Sequence, residues 1–376
     1  TGASIGRCAV VPSDFDEANV SQHVTIIRAV LPELNAFLHK VLLSRHVQQT
    51  VMDVQVGVSR EGLSIAKLGQ FLIPVPPLAE QSRIVTRVEA LMRLCDALEA
   101  KGQLEAAQHA QLVSTLLGTL TASTTPEELA ANWQRVAQHF DLLLDRPEAI
   151  DALEQTLLQL AVRGLLVPQD PTDEPASALL QKIRAEKDRL IATGQIKRDK
   201  PLPPITDEEK PFELPVGWEW VPLQHVGYTQ TGTTPDKKNP AFYGSHIPFI
   251  KPGDIYPEFV NYDNERLSES GLNDSGRLAP SGSVLMVCIG TIGKTNIIDR
   301  GCSFNQQINS ITPLVCVPEF IALYLRSPEF QLQAWERSSS TTISILNKGK
   351  WEEIPLALPP LAEQSRIVTR VTALRR

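Results

Sequence analysis

The stretch Pro76–Val88, PPLAEQSRIVTRV, occurs a second time without change at Pro359–Val371. Identity at all 13 positions indicates two copies of one structural unit within the chain. The paired prolines at the start of each stretch end extended structure, because proline lacks the N–H that a strand ladder needs. The residues that follow, Leu78-Ala79-Glu80 in the first copy, are typical of the beginning of a helix.

The repeat continues upstream of the identical stretch at lower similarity. Thr1–Arg93 therefore corresponds to about Cys288–Arg376, at a spacing of about 285 residues, which is far too long for a solenoid array and indicates a domain duplication. Two copies of a unit present two similar surfaces, which suits a partner with two-fold character such as duplex DNA. The upstream matches are Ser4–Arg7 with Thr291–Lys294, Asn19–Val24 with Ser303–Ile308, and Phe71–Val75 with Ile354–Leu358.

The two copies are not flanked by the same sequence. A stretch from about Phe212 to Val287 precedes the second copy and has no counterpart before the first. The first copy continues into a long helical pattern, whereas the second ends at Arg376, and the chain begins at Thr1. We expect a chain that begins within its first domain and ends early in its second long helix.

Composition limits the class of protein. The 376 residues suffice for two or three domains, the apolar share of 42% is ordinary for a globular protein, and neither a signal peptide nor a membrane-length apolar run is present. Five cysteines without a CxxC pair predict buried, reduced thiols, and hence the cytoplasm. The net charge of −7 argues against a non-specific nucleic-acid binder, although a local cluster of donors is sufficient for sequence-specific contacts.

The identical stretch opens a long helical pattern in the first copy. Apolar residues recur at spacings of three and four to about Ala122, which predicts about 43 helical residues and a length of about 65 Å. Such length is typical of a coiled-coil arm, whose expected partner is the equivalent helix of the second copy. We expect a stutter or bend at Gly102, where the spacing is imperfect.

Shorter elements are predicted on either side of this helix. Short β-like runs are expected at 8–12, 24–29, 71–76, 284–289 and 308–313. Helices are expected at 33–44, 126–144, 148–166, 175–193, 319–327 and 328–335, the second with Thr125 as its cap. The fold class is therefore α+β, as mixed globular domains alternating with long coiled-coil-type helices, with an internal duplication.

Two stretches resemble catalytic motifs, and neither is complete. Gly290–Thr295 resembles a phosphate-binding loop but lacks the glycine spacing and the following helix, so a strand–turn–strand is favoured. Asn239–Phe242 (NPAF) resembles the NPPF motif of adenine-N6 methyltransferases but lacks the second proline and an upstream glycine-rich cofactor loop. The sequence thus predicts no catalytic site, no metal site and no cofactor.

Three polar clusters in the second domain could contact nucleic acid, although each alone is more simply explained as a solvated loop. A threonine- and glycine-rich loop at 229–238 ends in two lysines. Asn305-Gln306-Gln307 is a row of amides, which suit bidentate contacts to adenine. Ser338–Thr342 is a run of hydroxyl side chains before Lys348 and Lys350. Together, beside the duplicated framework, they favour a surface that recognises bases.

In combination, these features resemble the specificity subunit of type I restriction–modification systems over essentially the whole chain. The stretches that carry the resemblance are Gly232–Pro235, Tyr243-Gly244, Ile247–Lys251, Asp254-Ile255, Gly290–Gly293, Asn305–Ile308, Ile354-Pro355, Pro359–Gln364 and Leu153–Pro175.

The resemblance implies two target-recognition domains that each recognise one half of a bipartite duplex DNA sequence, with paired long helices fixing the gap. It implies a non-catalytic subunit that binds two adenine-N6 methyltransferase subunits and recruits restriction subunits. S-adenosylmethionine and ATP with magnesium are then expected on those partners, and no membrane is involved. The implied segments are 1–77 for the C-terminal part of the first recognition domain, 78–124 for the spacer helix, 125–198 helical, 199–215 as a proline-rich linker, 216–360 for the second recognition domain and 361–376 for the start of the second spacer helix.

Candidate DNA contacts follow from the polar clusters and the cations near them. In the first copy, recognition is in doubt because no counterpart of Gly232–Lys251 is present. A structural adaptor that assembles partner proteins without contacting DNA is the alternative, and a self-contained enzyme is a third possibility. The candidate residues are Thr231, Thr233, Lys237, Lys238, Lys251, Lys294, Asn305, Gln306, Gln307 and Lys348 in the second copy, with Arg7 and Gln22 in the first.

Overall fold

The computed structural model describes residues 5–12, 14–54, 62–123, 125–275, 277–340 and 343–375. The chain divides into two compact units, Thr1–Gln108 and His109–Arg376. The predicted α+β class is confirmed, because helices and short β-strands both occur and a helix of 44 residues lies along the chain between residues 77 and 122.

The regular secondary structure described in the first unit is helical. Its helices are α1 (Leu34–Leu43), α2 (Arg45–Val54), α3 (Ile65–Leu68) and the first part of α4 (Leu78–Thr121). The predicted helix at 33–44 is confirmed as α1, whereas α2 was not predicted. None of the described residues of this unit forms a β-strand, so the strands predicted at 8–12, 24–29 and 71–76 are wrong.

The second unit shows why those strands are missing. The three segments correspond by sequence to β6 (Thr295–Ile297), β8 (Ile308–Pro313) and β11 (Pro355–Leu358). These strands pair with β5, β2 and β1, all of which lie within 219–287, the region without a counterpart in the first copy. A strand needs a neighbour for its N–H and C=O groups, so the same pattern stays irregular in the first unit.

The long helix α4 begins where the identical stretch predicts, directly after Pro76-Pro77, and it ends at Thr121, close to the predicted Ala122. It continues as an α-helix through Gly102, where we expected a stutter or bend. Several apolar side chains on its first part are exposed, including Leu91, Leu94 and Leu98.

A helical region follows and packs around the end of α4. Thr125 caps α5 by accepting a hydrogen bond from the Glu128 N–H at 3.2 Å, as the sequence predicts. Val113, Leu117 and Leu120 of α4 are buried against Val136 and Leu160. The helices are α5 (Pro126–Gln138), α6 (Phe140–Leu143), α7 (Pro147–Val162) and α8 (Ala176–Ala192).

The proline-rich segment 199–215 packs against other parts of the second unit. Asp199 accepts from Lys187 Nζ at 2.7 Å, and the Phe212 ring lies 5.0 Å from the Trp220 ring, measured between centroids. Glu209 pairs with Arg337 at 2.8 Å. These contacts hold the segment in one place, although its composition is typical of a linker.

The rest of the second unit is a mixed domain of short strands and helices. The four-stranded sheet has the order β2-β8-β5-β6, and the others are β4-β3-β7, β1-β11 and β9-β10. The strands are β1 (Glu219–Pro222), β2 (Gly227–Thr231), β3 (Tyr243–Ile250), β4 (Arg266–Leu267), β5 (Val284–Val287), β6, β7 (Ser303–Phe304), β8, β9 (Ser339–Ser340), β10 (Ser344–Ile345) and β11. The helices are α9 (Glu269–Ser275), α10 (Pro318–Arg326), α11 (Pro328–Glu336), α12 (Lys348–Glu352) and α13 (Leu361–Leu374).

Two apolar clusters hold this domain together. The larger lies between the helices and β5, β8 and β11, and includes the fully buried Phe320, Tyr324 and Trp351. The smaller surrounds Ile250, Phe304 and Ile308. Cys288, Cys302 and Cys316 are buried as predicted, whereas Cys95 is exposed and Cys8 is half-buried, which corrects that prediction for these two thiols.

The identical stretches have different surroundings in the two units. In the second, the Glu363 carboxylate is 1% exposed and accepts from Trp218 Nε1 at 2.9 Å and from Gln169 Nε2 at 2.7 Å. In the first, the equivalent Glu80 is exposed. The following glutamine makes the same local bond in both, because Gln364 and Gln81 each donate to the carbonyl five residues earlier.

Candidate nucleic-acid interface

The sheet topology brings several loops to one edge of the second unit. The register pairs Thr231 with Asn309 and Val287 with Ile308, so β2 and β5 end where β8 begins. The short parallel pair β3–β7 ends at the same place, because the Asn305 N–H donates to the Ile250 carbonyl at 3.0 Å. We call the loops 231–239, 251–259, 288–294, 305–307 and 344–348 the loop edge.

The threonine-rich loop is attached to the start of β8 by its backbone. Gly232 N–H donates to the Ile308 carbonyl at 3.0 Å, and Thr233 N–H donates to the Phe304 carbonyl at 3.1 Å. A Cβ atom at Gly232 would lie 2.2 Å from the Asn305 carbonyl oxygen, so glycine is required for this close approach. Thr231 Oγ1 donates to Asn309 Oδ1 at 2.7 Å.

The amide row divides into an inner and an outer part. Asn305 is 7% exposed, and its Nδ2 donates to Gln307 Oε1 at 3.0 Å while its Oδ1 accepts from the Gln307 N–H at 3.1 Å. Gln306 is exposed, and its Oε1 accepts from Thr234 Oγ1, which joins the amide row to the threonine-rich loop. In the free protein, Asn305 shapes the loop and Gln306 presents its amide to solvent.

The segment 344–348, which follows the hydroxyl run and pairs with Ser339-Ser340, joins the same surface through Cys288. The Cys288 N–H donates to the Gln307 carbonyl and its carbonyl accepts from the Leu346 N–H, both at 2.8 Å. Thus 344–348 lies beside 305–307. Of the predicted hydroxyl run, Thr341 and Thr342 lie outside the described residues.

Four of the five lysines of the loop edge fall into two groups. Lys237 and Lys238 are exposed at the end of the threonine-rich loop, where Asp236 accepts from the Lys238 N–H at 3.0 Å. Lys251 pairs with Glu265 at 2.5 Å, and Lys348 pairs with Glu352 at 2.8 Å. We therefore expect Lys237 and Lys238 to be more available to phosphates than the paired lysines.

Three residues that contact the loop edge were not anticipated. Glu265 and Glu352 neutralise predicted DNA-contacting lysines, and Asn309 holds Thr231. Glu352 also accepts from Thr229 Oγ1 and is 7% exposed. The spacing of four between Lys348 and Glu352 is a signal in the sequence, whereas Glu265 and Asn309 are brought in by strand pairing.

The glycine-containing turn is a strand–turn–strand, as predicted. Val287 N–H donates to the Lys294 carbonyl at 2.8 Å, and Gly290 and Gly293 have φ angles of +83° and +98°. Lys294 Nζ donates to the Pro252 carbonyl at 3.3 Å and lies 5.8 Å from the centre of the Tyr256 ring. This geometry differs from the loop-to-helix arrangement that binds nucleotide phosphates.

The described residues contain no group of three histidine, cysteine or acidic side chains placed to hold a metal ion. Burial raises the pKa of the Cys288 thiol to about 12, so a thiolate nucleophile is disfavoured at the centre of the loop edge.

The first-copy candidates lie in the first unit. Arg7 and Gln22 are both exposed. Arg7 follows a turn at Gly6, whose carbonyl accepts from Gln48 Nε2 at 2.9 Å. All twelve assignments to DNA contact stay predictions.

The chain matches the family described as type I restriction modification DNA specificity domain over residues 1–108 and 215–376. The chain therefore belongs to this family. Among the helices of the described residues, none combines the length and apolar character that crossing a bilayer requires.

Several characterised relatives are similar in sequence. The EcoAI specificity subunit of Escherichia coli is 38% identical over 80% of this chain and 53% of its own length. The EcoEI specificity subunit of the same organism is 36% identical over 80% of this chain and 52% of that protein. The HindI specificity subunit of Haemophilus influenzae is 26% identical over 94% of this chain and 74% of that protein. The chain thus spans about half the length of the first two relatives.

Solved structures give weaker likenesses. A chain from work on assembly and conformational transition of the type I R-M system is 19% identical, with a TM-score of 0.48 over 91% of this chain and 63% of that chain. The HsdS subunit from Thermoanaerobacter tengcongensis is 18% identical, with a TM-score of 0.36 over 91% of this chain and 62% of that chain.

Proposed function

We propose that this chain is a non-catalytic DNA sequence-specificity subunit of a type I restriction–modification complex, acting in the cytoplasm. Membership of the specificity family supports this, and the loop edge is the observation on this chain that carries it. The threonine-rich loop, the amide row and the segment that follows the hydroxyl run converge there, on backbone bonds that hold them in place. Recognition of bases requires donors and acceptors in a fixed arrangement, and Gln306 with Lys237 and Lys238 supply an amide and two cations.

The partners in this proposal are duplex DNA, two adenine-N6 methyltransferase subunits and restriction subunits. S-adenosylmethionine and ATP with magnesium would be bound by those subunits. We assign the spacer role to 78–124, the helical region to 125–198, the linker to 199–215, recognition of one half-site to 216–360 and the start of a second spacer to 361–376. Residues 1–77, with Arg7 and Gln22, would belong to the recognition of the other half-site.

Selection from a random duplex library tests the proposal, using the chain together with a type I methyltransferase subunit from the same genome. We expect enrichment of one short motif, recognised by the second unit. Two motifs at fixed spacing would show that both halves recognise DNA. The absence of enrichment from a folded, assembled complex would favour the adaptor alternative.

The amide row provides the matched variants. Gln306→Ala should reduce affinity for the selected motif about tenfold or more and relax the preference at one position, since one bidentate base contact is lost. Gln307→Ala should also alter the preference by releasing Asn305. Gln181→Ala, an exposed amide on α8, is the control and should leave the selected motif unchanged.

A further inference from the structure

Two exposed aromatic side chains stack on each other at the two ends of the turn 256–259, which none of the polar clusters includes. The Tyr256 and Phe259 ring centroids are 4.7 Å apart with an interplanar angle of 15°. The two residues remain 40% and 55% exposed. Exposed single apolar residues are common, but a stacked aromatic pair on a protruding turn is typical of a contact surface.

The backbone of the turn is fixed by hydrogen bonds and by buried residues on both sides of it. Tyr256 N–H donates to the Phe259 carbonyl at 2.9 Å, and the flanking Ile255 and Val260 are buried in the smaller apolar cluster. Asn296 Nδ2 donates to the carbonyl of Tyr256 at 2.8 Å. Arg326 Nη2 donates to the Pro257 carbonyl at 3.2 Å. The rings therefore stay in solvent, and their burial by a partner would cost little ordering of the backbone.

The turn belongs to the loop edge, as the end of the loop 251–259. It follows β3 by way of Pro252, whose carbonyl accepts from Lys294 Nζ, and the same Nζ lies over the Tyr256 ring. Ile250, two residues before Pro252, accepts from the N–H of Asn305. Lys294 thus lies against the aromatic pair, and the strand that leads into the turn is bonded to the amide row.

We propose that Tyr256 and Phe259 form an aromatic contact to duplex DNA, packing their rings against bases and sugars beside the recognised half-site. This inference rests on the proposed function. Aromatic and apolar side chains wedge against base steps in many DNA-binding proteins, and stacking on a base tolerates any sequence. The adjacent Lys294 favours DNA over a protein partner, because lysine is depleted from protein interfaces and attracted to phosphates.

A ring contact and a phosphate contact differ in their response to salt. Each phosphate contact adds to the slope of binding affinity against salt concentration, because it releases counterions, whereas an aromatic contact releases none. The Tyr256→Ala/Phe259→Ala double variant should therefore bind about tenfold or more weakly with an unchanged salt slope. Lys237→Ala should reduce the magnitude of the slope by about one.

The test uses the full chain with its methyltransferase partner and a fluorescent duplex that carries the selected motif, titrated at several salt concentrations. Tyr256→Phe should retain wild-type affinity, and Phe140→Ala is the control because Phe140 is 46% exposed on α6, outside the loop edge. If circular dichroism shows that the double variant is unfolded, Phe259→Ala alone serves as a second, milder variant. It should bind about tenfold more weakly, again with an unchanged salt slope, if each ring contributes.

Three outcomes would overturn the inference. The aromatic variants could bind like the wild type, reduce the salt slope, or lose DNA only because the methyltransferase subunit no longer co-elutes with the chain. If the wild type selects a motif and Gln306→Ala alters it, such a result removes the aromatic contact alone. If the wild-type complex selects no motif, both the proposed function and this inference fail.

Discussion

At the scale of single residues, the duplicated stretch allows one side chain to be compared in two surroundings. Glu363 receives hydrogen bonds from two side chains that come from distant parts of the chain, Trp218 and Gln169, while Glu80 is exposed. The identical sequence thus forms the same local hydrogen bond in both copies, from the glutamine that follows each glutamate. The hydrogen bonds to distant residues differ between the two copies.

Replacing the two glutamates should therefore have very different consequences. Glu363→Ala leaves the buried Trp218 indole N–H unpaired, while Gln169 keeps its bond to the Gly164 carbonyl, so the free energy of unfolding of the second unit should fall by about 1–3 kcal/mol. Glu80→Ala should change the free energy of unfolding of the first unit by less than about 0.5 kcal/mol, since the side chain is exposed. Urea unfolding followed by far-ultraviolet circular dichroism, which reports the helices of both units, measures both. Equal losses would contradict the assigned contacts.

A second buried carboxylate should make stability depend on pH. Burial raises the pKa of Glu329 above 4.5, against the lowering effect of the Arg163 guanidinium 3.3 Å away. A carboxyl group with a raised pKa in the folded state contributes stability that is complete below pH 4.5 and lost as the pH rises through the folded value.

Glu329→Gln carries no titrating proton, so its unfolding free energy relative to the wild type should increase from pH 4.5 to neutral pH. Urea titrations at both pH values give this difference. Glu336→Gln, exposed on the same helix, controls for the loss of one charge. If the unfolding free energy of Glu329→Gln relative to the wild type decreased with pH, the direction assigned to the pKa shift of Glu329 would be wrong.

At the scale of elements, the loop edge depends on a glycine that lets two loops touch. A methyl group at Gly232 would collide with backbone oxygens of Phe304 and Asn305, which cannot rotate away. Gly232→Ala should therefore destabilise the second unit by about 1–3 kcal/mol and weaken DNA selection by displacing the threonine-rich loop from Gln306.

Gly253→Ala is the matched control, because a Cβ atom there meets nothing within 4 Å and Gly253 belongs to the same edge. Thermal unfolding of the two variants checks the prediction. Equal melting temperatures would show that the threonine-rich loop can move away from β8 without cost.

The elements also show what sequence can predict. Helix starts carried by a cap or a proline, as at Thr125 and after Pro77, were predicted closely, because those signals act within one turn. Strands were predicted correctly only where partners exist, since pairing joins distant residues. The polar loops were identified, but the inward position of Asn305 was not, because it follows from the strand register.

At the scale of the whole molecule, the two copies of the duplicated segment should differ in protection from solvent. Ile308 and Ile311 of β8 are fully buried, while the corresponding Val24 and Ile27 are 56% and 46% exposed. Amides in 24–29 should exchange hydrogen at least about a hundredfold faster than those in β8, because they lack the cross-strand bonds that exchange must break.

Hydrogen exchange read by mass spectrometry on the isolated chain checks this comparison. Peptides covering the start of α13 and of α4 serve as an internal reference, since both are helical. Similar protection of 24–29 and β8 would mean that the first unit forms strands in solution.

The uncovered apolar residues of the first unit, such as Val11 and Leu72, have a consequence for the life of the chain in a cell. Quality-control proteases cut where the backbone is accessible, and chaperones bind extended apolar segments before a fold can hide them. We expect the turnover rate of the unassembled chain to be governed by residues 5–77. Substitutions that stabilise the sheet of the second unit would then raise the melting temperature of that unit. They would leave the half-life of the unassembled chain unchanged.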